Sequence, residues 1–344
     1  MIVNNRDIYL DVAKGLAIIL VVIGHVFQTE RVDFDNFFPF RFIYSFHMPM
    51  FIFVSGMVAS LKINDFFPVL SSSIIFSNAK KEIWGATKRL FIPFISWTVV
   101  YYFVAHNDGT LNYFKKVIDS PDNSLWFLLA LFYCRILFEL IRVFFLFIKK
   151  MLNIRERCSE IFESPVISFL AILMIFIIIR KCMPDVFGLG YLKHFFPYYL
   201  FGIFFYKYKD KIRYMNIMHF VCLIIFLSLV SFWFRTEVGP VEEWLSQFIS
   251  PSKAKICFRM TVALCGTMSF LLFIKLVMRI SLSWVHTIFA FVGSMSLGIY
   301  ALHQSLMWLP PVFWGTFVVS LFMSWLIGKT PIIRFFLLGG KFFR

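Results

Sequence analysis

The chain has 344 residues, of which 60% are hydrophobic and 15% are charged, and its mean hydropathy is +0.79. A soluble domain has about a quarter charged residues, so this chain has too little polar surface to cover a water-facing exterior. Its formal charge of +15 would favour nucleic acid as a partner of a soluble protein, but membrane proteins gather basic residues in cytoplasmic loops. The composition therefore excludes a soluble enzyme and predicts an all-α integral membrane protein.

About ten apolar segments follow one another between breaks formed by Pro, Gly and charged residues. The first segment carries Asp11 and His25, which argues against a cleaved secretory signal. If the N-terminus is cytoplasmic, roughly two thirds of the 34 Lys and Arg residues fall on the inner side, so the positive-inside rule predicts that both termini are cytoplasmic. We expect a single transmembrane domain over residues 1–344 with no appended soluble domain. The predicted spans are 12–29, 40–60, 90–106, 124–147, 164–181, 195–207, 216–235, 258–278, 284–306 and 312–328.

Ionisable side chains inside these spans are candidates for function, because burying them in a membrane is costly. Lys14 and His25 share one face of the first span but lie about 16 Å apart along its axis, so they cannot touch. His25 and His47 are expected at similar depth on consecutive antiparallel helices. A single buried histidine is usually a packed core residue, whereas two at one depth favour a general base. The candidates are Asp11, Lys14, His25, His47, Arg135, Glu139, Arg142 and His303.

Two further groups have both a structural and a functional interpretation. Lys88 and Arg89 are placed to bind the phosphates of a cytoplasmic donor, or to anchor the chain at the inner surface. Arg135 and Glu139 are one helical turn apart, which predicts that they pair with each other. The sequence contains no GxGxxG, P-loop, HExxH or nucleophile-elbow pattern, and its six cysteines lie apart without zinc-ligand spacing, so no metal site is predicted.

Five segments in order along the chain match motifs of one known family. Lys14 and His25 form a (R/K)-x10-H pattern within a segment that opens at Arg6. The other four segments are residues 46–56 (FHMPMFIFVSG), 88–94 (KRLFIPF), 125–132 (LWFLLALF) and 293–303 (GSMSLGIYALH). Together they resemble the transmembrane acyltransferase-3 family, and within it the fucose 4-O-acetylase-like branch.

The resemblance implies a multi-pass protein of the bacterial inner membrane that acylates, usually acetylates, sugar hydroxyls of surface polysaccharides or lipid-linked glycans. Acyl-CoA would be a co-substrate, with no permanently bound cofactor. By this resemblance His25 is the catalytic histidine, Lys14 is its motif partner, and His47 is a further catalytic residue. Lys14 stands where many members have Arg, so it lacks the two-pronged guanidinium contact. The expected donor-binding residues are Lys14, Lys88 and Arg89, and the expected acceptor-binding residues are Trp126, Arg135, Glu139 and His303.

Two other functions remain open on sequence alone. A glycan or lipid-linked glycan transporter would also have many spans with buried charges, although the duplicated halves typical of transporters are not evident. A degenerate family member acting as an assembly partner is the third interpretation. The expected partners are acyl-CoA, a glycan acceptor and the lipid bilayer, with no nucleic acid. Whether the chain forms a homo-oligomer or joins a polysaccharide-assembly machinery is left open.

Overall fold

The computed structural model describes residues 7–63, 72–105, 110–119, 125–151 and 164–340, and Arg6 lies outside them. Within these ranges the chain is helical and has no β-strand, which confirms the all-α prediction. The helices are α1 (Ile8–Glu30), α2 (Phe38–Tyr44), α3 (His47–Ser60), α4 (Ser72–Ala86), α5 (Ile92–Ala105), α6 (Thr110–Asp119), α7 (Trp126–Met151), α8 (Pro165–Cys182), α9 (Leu189–Tyr208), α10 (Met215–Leu229), α11 (Pro240–Ser246), α12 (Pro251–Val277), α13 (Ser283–Ser294), α14 (Ser296–Leu302), α15 (Val312–Lys329) and α16 (Pro331–Leu338).

Six helical segments in the described part of the chain are long and apolar enough to cross a membrane, or seven if the bent pair α13–α14 is one span. The six are α1, α2 with α3, α8, α10 with the 3-10 turn that follows it, α12, and α15. The other predicted spans are helical too, but α5 has only 14 residues and α7 carries Arg135, Glu139 and Arg142 in its middle. A multi-pass membrane protein is therefore supported, while ten spans and cytoplasmic termini stay predictions.

The second predicted span is broken between α2 and α3. Pro49 has no backbone N–H and would clash with the carbonyl four residues earlier in a continuous helix, which is that of Ser45. The helix instead ends at Tyr44 and restarts at His47, so that Pro49 falls in the first turn, where no donor is needed. The break places Tyr44 at the end of α2 and His47 at the beginning of α3.

The ninth predicted span is also broken. The helix ends at Ser294 and restarts at Ser296, with a bend of 57° between the two parts. Gly293 and Ser294 precede the bend, and Gly/Ser pairs are a common cause of helix kinks. The Ser294 hydroxyl donates to the carbonyl of Phe291, which draws the last turn of α13 away from a regular helix.

The chain divides into two compact units. The first unit contains residues 1–54 and 209–324, and the second contains residues 55–208 and 325–344. The expectation of a single domain stays a prediction.

The first unit is organised around a close contact between α1 and α13. A Cβ atom added at Gly15 would meet the carbonyl oxygen of Phe289, and one added at Gly293 would meet that of Asp11. Small residues allow two membrane helices to approach through their backbones, so only glycine fits at both positions. At the start of α1, the Asp7 carboxylate accepts a hydrogen bond of 2.9 Å from the N–H of Tyr9 and caps the helix.

The second unit is built on α7, which packs against α4 and α9. The indole of Trp97 on α5 donates to the carbonyl of Leu337 at 2.9 Å, which fixes α16 beside α5. Gly56 contacts the backbone of Tyr199 so closely that a side chain would clash there.

Candidate active site

Three histidines come together in the first unit, at one end of its helices. His25 lies five residues before the end of α1, His47 begins α3, and His303 follows α14 in a 3-10 turn. The ring centroids of His25 and His303 are 5.1 Å apart. Tyr44 connects His25 to the third histidine, with its ring centroid 5.8 Å from that of His25 and 4.5 Å from that of His47. We call His25, His47, His303 and Tyr44 the histidine cluster.

The hydrogen bonds of Tyr44 determine which nitrogen of His25 carries a proton. The Tyr44 hydroxyl donates to the side-chain oxygen of Gln28 at 2.5 Å, and Nδ1 of His25 lies 3.2 Å from the same hydroxyl. A phenol has one O–H, so with the Gln28 amide oriented this way Nδ1 of His25 must be the donor. Neutral His25 then has its lone pair on Nε2, which makes that atom the candidate proton acceptor.

The other two histidines have the same proton placement for a different reason. Nδ1 of His47 lies 3.1 Å from the carbonyl of Ile43, and Nδ1 of His303 lies 2.7 Å from the carbonyl of Tyr300, so each Nδ1 is a donor. The Nε2 atoms of His47 and His303 are buried and have no hydrogen-bond partner among the described residues. Buried polar atoms without partners are rare and costly, and a hydroxyl of a bound ligand would satisfy them.

Lys14 belongs to the same unit but not to the histidine cluster. Its ammonium lies 2.6 Å from a carboxylate oxygen of Asp11, one turn earlier on α1. Lys14 and His25 are eleven positions apart on one continuous helix, which corresponds to about 16 Å along its axis. Lys14 is therefore placed at the other end of α1, next to the helix contact at Gly15.

Arg135 does not pair with Glu139, so that prediction was wrong. The Arg135 guanidinium lies 2.5 Å from a carboxylate oxygen of Glu82 on α4. Glu139 instead pairs at 3.1 Å with Arg142, three residues further along α7. Because α4 packs against α7, Glu82 on α4 is close enough to pair with Arg135 on α7. The ammonium of Lys62 also contacts the Glu82 carboxylate, at 3.3 Å. Arg135 and Glu139 are both engaged in the second unit, and their predicted role in acceptor binding stays a prediction.

Lys88 and Arg89 lie in a π-helical turn between α4 and α5, over Thr87–Phe91. Such turns are frequent at functional sites. Among the described residues neither side chain has an acidic partner, and the Lys88 ammonium lies 5.5 Å over the ring of Trp84. The two cations are thus available for an anionic ligand in the second unit.

Trp126, also in the second unit, is engaged in aromatic packing. Its ring stacks on those of Tyr191 at 4.9 Å and Phe195 at 5.2 Å, both on α9. These contacts account for the residue structurally, and its binding of sugar stays a prediction. Within the described residues, no three His, Cys, Asp or Glu side chains are grouped so as to hold a metal ion.

Three residues at the histidine cluster were not identified from the sequence. Gln28 follows His25 by three residues and Tyr44 precedes His47 by three, and this spacing is the one signal that would have indicated them. Arg235, whose guanidinium lies 4.9 Å over the Tyr44 ring, comes from a loop distant in sequence and gave no signal.

A family model described as an acyltransferase domain matches residues 7–340. Two curated relatives are both called nodulation protein NolL. The protein of Sinorhizobium fredii is 30% identical over 162 residues, which cover 43% of this chain and 40% of that protein. The protein of Mesorhizobium japonicum is 29% identical over 154 residues, which cover 41% of this chain and 37% of that protein. The match thus spans about two fifths of the length of each relative. No solved structure matches the chain.

Proposed function

Because the chain belongs to the acyltransferase-3 family, we propose that it is a membrane O-acyltransferase that transfers an acetyl group from acetyl-CoA to a sugar hydroxyl. The acceptor would be a cell-surface polysaccharide or a lipid-linked glycan. One observation carries the proposed mechanism: the Tyr44 hydroxyl contacts both Oε1 of Gln28 and Nδ1 of His25. With Tyr44 donating to Gln28, the proton of neutral His25 lies on Nδ1 and its Nε2 lone pair is left for catalysis. The location we propose is the bacterial inner membrane.

In the proposed reaction, Nε2 of His25 acts as general base on the acceptor hydroxyl. The sugar oxygen attacks the thioester carbonyl carbon while its proton moves to His25. The tetrahedral intermediate then breaks its carbon–sulfur bond, and the leaving CoA sulfur takes the proton from His25. The products are an O-acetyl ester and CoA with a free thiol, and His25 is neutral again. Transfer is direct, since no nucleophile is evident in the sequence.

The unpartnered Nε2 atoms of His47 and His303 are suited to accept hydrogen bonds from acceptor hydroxyls. In this role they would orient the sugar ring with one hydroxyl toward His25. Their burial makes the contact selective, because a ligand without hydroxyls would leave both acceptors unsatisfied.

Lys14, Lys88 and Arg89 are proposed to bind the phosphates of acetyl-CoA. Lys88 and Arg89 have no acidic partner among the described residues, which supports this role. Lys14 is paired with Asp11, so it would have to exchange that partner for a phosphate or act by holding α1 in place. Phosphate recognition by Lys relies on a point charge, whereas Arg89 offers a planar fork.

The experiment compares purified wild-type protein with His25→Ala in nanodiscs, measuring acetyl-CoA binding and its slow hydrolysis. We expect His25→Ala to lose at least about 100-fold in hydrolysis while it still binds acetyl-CoA. His286→Ala is the matched control, because His286 is a half-buried histidine of the same unit that contacts the carbonyl of Val277 outside the cluster. It should keep wild-type activity. Lys14→Ala should weaken binding of acetyl-CoA.

Two results would contradict the proposal. Full activity of His25→Ala would remove His25 from the mechanism. Failure of folded wild-type protein to bind acetyl-CoA or a longer acyl-CoA would favour the rival function, a glycan transporter, which a flux assay in proteoliposomes would then test.

A further inference from the structure

Arg235 is a half-buried cation beside the histidine cluster, and none of the described residues is an acidic partner for it. It lies in the loop that leads from the 3-10 turn at the end of α10 to the start of α11. Its guanidinium stands 4.9 Å over the ring of Tyr44, which contacts the rings of both His25 and His47. Across the described part of the chain, no carboxylate lies within ion-pair distance of Arg235 and its guanidinium donates no hydrogen bond.

The backbone on both sides of Arg235 is held in place. The Asp35 carboxylate accepts hydrogen bonds from the N–H groups of Arg235 at 2.7 Å and Thr236 at 2.8 Å, and from the Thr236 hydroxyl. The Arg259 guanidinium donates to the carbonyl of Phe234 at 2.8 Å. The loop is thereby fixed before any ligand arrives, which lowers the ordering cost of binding.

Arg259 and Asp35, the charged residues that hold this loop, have partners, whereas the Arg235 guanidinium has none among the described residues. Arg259 is paired at 2.8 Å with Glu242, a carboxylate that is 2% exposed. Asp35 is satisfied by the loop backbone. The contact of Arg235 with the Tyr44 ring uses one face of the guanidinium, and its five N–H donors have no partner among the described residues.

We propose that Arg235 binds a carboxylate or phosphate group of the acceptor, so that the protein selects an anionic glycan. Guanidinium groups recognise both anions through paired hydrogen bonds. Tyr44 contacts both groups: the Arg235 guanidinium lies 4.9 Å from its ring centroid, and the His25 ring centroid lies 5.8 Å from the same point. An anion bound by Arg235 and a hydroxyl at Nε2 of His25 are then separated by a distance that one or two sugar rings can span. The anionic group is therefore on the acylated sugar or on its neighbour.

This inference rests on the proposed function for the identity of the ligand as acceptor, but it is tested by binding alone. The wild-type protein in phosphatidylcholine nanodiscs is titrated with methyl glucuronoside, glucose 1-phosphate and neutral methyl glucoside. We expect at least one charged probe to bind about tenfold more tightly than the neutral one, with a preference that weakens as salt is raised. Preference for the carboxylate indicates an acidic sugar, and preference for the phosphate indicates a phosphorylated or lipid-linked glycan.

Substitutions of Arg235 test whether its guanidinium causes the preference for charged probes. Arg235→Gln should lose the preference for charged probes, and Arg235→Lys should keep most of it. The matched control is Arg31→Gln, because the Arg31 guanidinium also lies over an aromatic ring, that of Phe37 at 3.7 Å, but is exposed and does not contact Tyr44. Equal binding of charged and neutral probes by the wild type, or an equal loss in Arg31→Gln, would overturn the inference. A preference that disappears in Arg235→Gln although acetyl-CoA is not turned over would support the anion site while the proposed function fails.

Discussion

The histidine cluster and the charged groups of α7 differ in how their polar atoms are satisfied. On α7, Arg135 pairs with Glu82 of α4, and Arg142 pairs with Glu139 of the same helix. At the histidine cluster, the Nε2 atoms of His47 and His303 are buried without partners, and Arg235 has no acidic partner, among the residues that the structure describes. Paired groups need nothing further for stability, whereas unpaired buried groups cost free energy unless a ligand satisfies them. This difference supports the proposal that the acyl transfer takes place at the histidine cluster and that the charged pairs of α7 have a structural role.

The largest expected effect is on stability, from Arg135→Leu. Removing the guanidinium leaves the partly buried Glu82 carboxylate with only the weaker contact from Lys62, at a cost of about 2–3 kcal/mol. The apparent Tm of the purified protein should fall by about 5 °C or more. The double variant Arg135→Leu/Glu82→Leu should recover most of this loss, because no unpaired charge remains. A stable double variant that no longer binds acetyl-CoA or a sugar would break the comparison and return Arg135 to the binding residues.

An intermediate effect, on rate and not on stability, is expected from Tyr44→Phe. Without the hydroxyl, the proton of His25 is no longer fixed on Nδ1, so kcat should fall about tenfold while KM for acetyl-CoA stays the same. Tyr133→Phe is the matched control, since its hydroxyl donates to the carbonyl of Phe187 at 3.0 Å in the second unit. The measurement is kcat from the release of CoA. An equal loss of kcat in Tyr44→Phe and Tyr133→Phe would show that the Tyr44 hydroxyl has only a structural role.

The smallest effect is expected from Asp35→Asn and depends on pH. Burial raises the pKa of Asp35, but hydrogen bonds from Thr236 and from the backbone N–H groups of Arg235, Thr236 and Glu237 outweigh it and lower the pKa below its usual value. The stability that this carboxylate contributes is therefore present above its unfolded pKa of about 3.9 and is lost as the pH falls through the folded pKa.

Asp35→Asn should consequently lower the free energy of unfolding by about 1 kcal/mol at neutral pH, and this difference from the wild type should disappear in acid. The measurement is the difference in apparent Tm between wild type and variant from about pH 7 down to about pH 3. A difference that does not shrink as the pH falls would contradict the assigned role of the carboxylate.

Parts of this structure follow directly from residue spacing. The apolar segments predicted the helices because a membrane requires long apolar stretches with internally satisfied backbones. The spacing between Lys14 and His25 gave their axial separation. A similar depth of His25 and His47 was predicted from two consecutive antiparallel helices, and in the structure the ring of Tyr44 contacts both histidine rings.

Other parts depend on contacts that spacing does not determine. The spacing of Arg135 and Glu139 permits a pair, but Glu82 on α4 competes for the guanidinium, and its approach follows from helix packing. Arg235 reaches Tyr44 through a loop held by Asp35, a residue 200 positions earlier in the chain. Contacts of this kind, between residues distant in sequence, determine which polar groups are left unpaired and can therefore bind a ligand.

The glycine contact between α1 and α13 has a consequence for the distant imidazoles. His25 lies ten residues beyond Gly15 on the same helix. His303 lies ten residues beyond Gly293, but past the 57° bend, in the turn that follows α14. The centroids of the two imidazole rings are 5.1 Å apart. A methyl group at either glycine would push α1 and α13 apart and would change this separation. Two residues without side chains thus help to set the spacing of two imidazoles that they do not touch.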